Sequence, residues 1–111
     1  MSLERRASRR LVYPEPTRPV LVLDGATLPV VDLSEHGLRF AAPPDGGPDL
    51  GDDVTGVVRF QSGPELRVEG TVVRVGDGAI ALRFATRLPF AALVSEERYL
   101  RSRFPSWEVS E

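Results

Sequence analysis

The chain has 111 residues, 41% hydrophobic and 27% charged, with a net charge of −2, no cysteine and one histidine, His36. That is the length of one domain able to build a core, and the composition excludes disulfides, thiolate metal centres and histidine-based metal clusters. No run approaches the ~20 apolar residues needed to span a bilayer. Arginines also stand where a signal peptide has its apolar core, so a soluble, cytoplasmic protein without membrane insertion is expected. Every basic residue is arginine, and the arginines are unevenly spread. Residues 1–10 carry four arginines and one glutamate (+3), whereas the remainder carries ten arginines and fifteen acids (−5). Nucleic-acid binding uses broad positive surfaces; a cationic arm on an acidic body suits a small anionic ligand instead.

Residues 1–19 read as a flexible, arginine-rich N-terminal arm. Pro14, Pro16 and Pro19 remove backbone donors and favour extended neighbours, and no apolar face would hold a helix over Arg5 to Arg10. A strand over Val20–Leu23 meets the hairpin dipeptide Asp24-Gly25, and a second strand follows over residues 27–31. After a turn over residues 32–37 the apolar pattern resumes at 38–41. Pro43-Pro44-Asp45-Gly46-Gly47-Pro48 is a loop, and a strand runs from 54 to 60. Leu66, Val68, Gly70 and Val72 then alternate with polar residues, as in a sheet wet on one face. Apolar Val73 breaks the alternation, so Gly70 is expected at a bend or bulge. Gly76-Asp77-Gly78 turns the chain into a strand at 80–84.

Beyond Pro89 the period changes to that of a helix through Phe90, Leu93, Val94, Leu100 and Phe104. Ser95 is the expected N-cap of its main part. Glu96 and Glu97 would then lie in the first turn, with Arg101 and Arg103 in the last, matching the helix dipole. Pro105 ends the helix, and Trp107 lies in a tail able to pack back on the body. Six short strands and one C-terminal helix make the chain mainly β, as a small antiparallel barrel or sandwich.

The segment 32–37 carries the spacing Asp-x-Ser-x-x-Gly. Asp32 and Ser34 are expected to bond nearby backbone N–H groups, with Gly37 supplying a positive φ. Enzyme templates find no support: there is no cysteine nucleophile, no glycine-rich phosphate loop with lysine and no metal-ligand set. Asp32, Ser34 and His36 sit too close in one turn to place an imidazole between acid and hydroxyl, and His36 reads as a surface turn residue. Asp52-Asp53 reads as a solvated pair ahead of a strand. The expectation is a non-catalytic protein without metal or cofactor. A ligand is another matter. The guanidinium fork matches the O6/N7 edge of guanine and also pairs with phosphate. A carboxylate accepts from guanine N1–H and N2–H, and a serine hydroxyl donates or accepts. An arginine cluster with Asp32 and Ser34 therefore fits an anionic guanine nucleotide.

Arg6-Ala7-Ser8-Arg9-Arg10 followed by Asp32-Leu33-Ser34-Glu35-His36-Gly37 resembles the paired Arg-x-x-x-Arg and Asp-x-Ser-x-x-Gly motifs of the PilZ domain, a bacterial receptor module for cyclic di-GMP. The resemblance continues through the strand pattern to the final helix. It implies a six-stranded antiparallel β-barrel with a C-terminal α-helix over residues 20–104, a tail over 105–111, and a nucleotide held on the outer wall of the barrel. It further implies that Arg6 and Arg10 grip a guanine edge and phosphate, that Asp32 and Ser34 bond the other guanine edge, and that Gly37 keeps the turn open. Arg5 and Arg9 satisfy the same spacing; with Arg6 and Arg10 in the motif they serve as accessory phosphate contacts. The implied function is that of a second-messenger receptor whose arm orders around cyclic di-GMP and relays the signal to a protein partner in trans. The alternative is a PilZ-like interaction module of pilus or motility systems that does not bind the nucleotide.

Overall fold

Two tight turns set the registers of the sheet. Asp24 and Gly25 both take positive φ (49° and 81°), as do Asp77 and Gly78 (56° and 75°). Such two-residue turns match the twist of the strands they join, and Leu23 accordingly pairs with Ala26, and Gly76 with Ala79. The computed structural model describes residues 9–109. Its strands are β1 (Leu11–Val12), β2 (Val20–Leu23), β3 (Ala26–Leu33), β4 (Gly37–Ala41), β5 (Asp53–Arg59), β6 (Glu65–Gly76) and β7 (Ala79–Phe84), followed by the helix α1 (Phe90–Arg103).

Neighbouring strands pair antiparallel in the closed circuit β2–β3–β4–β7–β6–β5 and back to β2. The result is the expected six-stranded barrel with one C-terminal helix. Closure removes the exposed sheet edges that an open arrangement would leave. Alternation along each strand turns Leu21, Val30, Phe40, Val58, Val72, Ile80 and Leu82 inward, all essentially inaccessible, and α1 adds Leu100 to the same cluster. The alternation slips once on β6: Val72 faces Leu82, but the next pair is Arg74 with Ala81, so the bulge lies at Val73. Gly70, expected near a bulge, meets another demand, since a Cβ there would collide with the backbone carbonyl of Arg83.

Residues 11–19, expected as part of a flexible arm, are instead built into the barrel. β1 extends the edge of β3 beyond β2, with Leu11 opposite Leu33 and Val12 opposite Asp32. The Tyr13 N–H donates to the Val31 carbonyl at 3.0 Å. Leu11, Tyr13 and Thr17 are buried, and Glu15–Thr17 forms one 3-10 turn. The physical cause is a period-two pattern, Leu11 and Tyr13 in with Val12 out, too short to stand out between arginines and prolines.

The helix starts at Phe90 after Pro89 and runs unbroken, which places Ser95, the expected N-cap of its main part, in its interior. Glu96 is therefore not a dipole residue at a helix start. It is buried, and accepts hydrogen bonds from the Tyr13 hydroxyl (2.7 Å) and from Ser62 Oγ (2.6 Å). Burial first, and the adjacent Glu96 carboxylate second, push the Tyr13 hydroxyl well above the usual tyrosine range. In the tail, Trp107 Nε1 donates to the Val12 carbonyl at 2.9 Å. The N-terminal segment is thus gripped from both sides, by β3 and by the C-terminal region.

Candidate ligand groove

The corner between β3 and β4 is shorter than the sequence suggests. Asp32 and Leu33 still belong to β3, and only residues 34–36 turn. The Ser34 N–H donates to the Gly37 carbonyl at 2.8 Å, and Ser34 Oγ accepts the His36 N–H at 3.3 Å. The corner is stitched to the end of β7, because the Phe84 N–H donates to the His36 carbonyl and the Leu88 N–H to that of Glu35 (2.8 and 2.9 Å). His36 is exposed beside Glu35.

Gly37 corrects the expectation of a left-handed turn residue: it is absent from the positive-φ residues. Its requirement is space, since a Cβ would run into the carbonyl oxygen of Leu82 on the paired strand β7. Asp32 corrects another. Its carboxylate bonds no backbone N–H among the described residues; Oδ2 instead accepts from Arg39 Nε at 2.6 Å. Val12 on one side and the Arg39 pairing on the other cover Asp32, leaving it 3% exposed. Burying a carboxylate is costly without a partner, and Arg39 is that partner. Its Oδ1 accepts from no group among the described residues.

These residues face an open groove of about 390 Å³ on the outer wall of the barrel. Arg10, Asp32, Ser34 and Gly37 of the motif residues lie together along it. Arg9 does not join them. Successive residues of an extended segment point to opposite sides, and Arg9 turns to α1, where Nη2 contacts both carboxylate oxygens of Glu97 at 3.1 and 3.2 Å. Arg5 and Arg6 lie outside the described residues. Three groove arginines were not anticipated from the sequence: Arg39, Arg74 and Arg83. The first could have been found, since pairing across the corner sets Arg39 opposite Asp32.

A larger depression, about 620 Å³, lies between the tip of the β2–β3 hairpin and the loop before β5, rimmed by Asp24, Asp45, Asp52 and Asp53. Its carboxylates repel an anion, so the smaller, arginine-lined groove is the one suited to a nucleotide. Among the described residues no group of three or more histidines and acids is placed to hold a metal ion, and no helix is long and apolar enough to cross a membrane.

The profile of the PilZ domain matches residues 4–102. Two solved structures share the fold. The uncharacterized Legionella protein Lpg0364 superposes with a TM-score of 0.61 at 18% identity, over 87% of this chain and 98% of that one. The Bacillus subtilis inhibitor of motility, MotI (DgrA), gives 0.62 at 10% identity over 89% of this chain and 51% of that one, so the present chain spans about half its length. No curated protein sequence matches the chain.

Proposed function

Since the chain belongs to the PilZ domain family, we propose that it is a non-catalytic receptor for cyclic di-GMP that relays occupancy of the groove to a separate protein. The observation carrying this reading is the convergence of Arg10, Asp32 and Ser34 on one outward-facing groove. Asp32 Oδ1, with Oδ2 held by Arg39, is the acceptor for guanine N1–H and N2–H, and Ser34 adds a hydroxyl at the same corner. Arg10 supplies a guanidinium for the O6/N7 edge or for phosphate. Arg6, the other arginine of the Arg-x-x-x-Arg motif, is assigned to the same ligand by its spacing from Arg10.

The relay follows from the neighbour of Arg10. Arg9 grips Glu97 on α1, so a ligand that draws Arg10 inward strains or releases that ion pair. Differential affinity of this kind is what moves a two-state element. The direct test is a thermal shift with cyclic di-GMP. At 100 times its dissociation constant the ligand adds about 2.7 kcal/mol of stability. Arg6→Ala and Arg10→Ala each abolish most of that shift and leave the ligand-free melting temperature unchanged. Wild-type affinity in both variants would refute the site.

One observation favours a second reading. The likeness in fold to an inhibitor of motility supports a motility-system interaction module, which in its nucleotide-independent form is the alternative to the receptor. That reading is distinguished by calorimetry: no heat with cyclic di-GMP, alongside a stable complex with a protein partner.

A further inference from the structure

Six arginines of the described chain pair with acids: Arg9, Arg39, Arg59, Arg67, Arg87 and Arg101. The groove arginines Arg10, Arg74 and Arg83 have no acidic partner among the described residues, in a chain whose sixteen acids outnumber its cations. Unpaired like charges gathered at one place repel one another and attract an anion. Arg10 is accounted for by the motif; Arg74 and Arg83 are not.

Sheet register explains how these two arrive there. Ala81 on β7 lies between Arg39 on β4 and Arg74 on β6. Arg83, two residues further along β7, shares its face. The floor between the guanidinium stems is therefore a single methyl group, low enough to admit a ligand against the wall. The bulge at Val73 is what delivers Arg74. After buried Val72, regular alternation would send Val73 out and Arg74 toward the core. The extra residue turns both outward, and both line the groove.

We infer that Arg74 and Arg83, standing over Ala81, form a second anion subsite that takes the second phosphodiester of a cyclic dinucleotide. The groove thereby selects cyclic dinucleotides over cyclic mononucleotides. The inference rests on the receptor reading above and adds to it the origin of ligand selectivity. One phosphodiester and one guanine engage Arg10, Asp32 and Ser34, and only a ligand with a second phosphate reaches β6 and β7.

The test is calorimetric titration of wild type, Arg74→Ala, Arg83→Ala and the control Arg67→Ala with cyclic di-GMP and with cyclic GMP. Arg67 is exposed on β6, outside the groove. Loss of either groove guanidinium is expected to weaken cyclic di-GMP binding by about 10- to 100-fold, the range for one charge-assisted hydrogen bond. Cyclic GMP affinity and the Arg67→Ala variant should stay within about twofold of wild type. Equal losses for both nucleotides, or losses no larger than for Arg67→Ala, overturn the subsite while leaving the receptor reading intact. A wild-type protein that binds neither nucleotide overturns the receptor reading, and the subsite falls with it.

Discussion

Tyr13→Phe removes one oxygen from a buried tie between three distant parts of the chain. The hydroxyl donates to Glu96 at 2.7 Å, and Ser62 donates to the other carboxylate oxygen at 2.6 Å. Tyr13 and Glu96 are each 2% exposed, so water cannot simply replace the lost donor. A hydrogen bond to a charged group contributes about 1.5–3 kcal/mol, and the ring itself is retained, so no cavity forms beyond the missing oxygen. For a domain of this size about 5 °C of melting temperature accompanies each kcal/mol, which puts the expected fall at roughly 8–15 °C. Circular dichroism melts, with urea unfolding to confirm an unchanged slope, measure it. In Glu96→Gln the carboxamide can still accept from Tyr13, so a smaller loss is expected there. A Tyr13→Phe protein as stable as wild type would show that Glu96 finds another donor, and that the N-terminal segment is held by β1 pairing and apolar burial alone.

Two further outcomes follow from the same geometry. Gly37→Ala drives a methyl group into the Leu82 carbonyl and should cost about 1–3 kcal/mol, as overpacking does. An unchanged melting temperature would mean that β4 and β7 can part without penalty. The Tyr13 hydroxyl ionises only above its usual range when folded, so the folded state keeps a proton that the unfolded chain releases above about pH 10. Its contribution is complete below that pH, and above it the free energy of unfolding, read from urea melts, should fall by up to ~1.4 kcal/mol per pH unit. Tyr13→Phe should lack that component, and equal alkaline slopes in both proteins would refute the assignment.

The acidic pair Glu96-Glu97 shows where reading along the chain stops. By spacing it belongs to a helix start, and Ser95 before it is a sound N-cap residue. Only the packed structure shows Glu96 as the hydrogen-bond hub for Tyr13 and Ser62, and Glu97 as the anchor of Arg9 and Arg101. The partners lie tens of residues away, and nothing in the local pattern encodes them. Gly37 is a milder case. The sequence pattern suggests a turn dihedral at this glycine, but what excludes a side chain there is the approach of β7.

What the sequence determined by itself is whatever depends on near neighbours. Asp24-Gly25 and Asp77-Gly78 specify hairpin turns because few other residues tolerate positive φ. Period-two alternation marks the strands, and the change of period after Pro89 marks the helix. Tertiary structure decided which strands meet, and through that which side chains share a surface. Arg39, Arg74 and Arg83 are scattered over 45 positions of sequence, yet the registers of β4, β7 and β6 and one bulge at Val73 bring them to a single groove. A slip of one residue in any of those pairings would turn its arginine inward. Register is a property of the closed barrel as a whole, which is why the two motifs are legible in the chain and the cationic wall beside them is not.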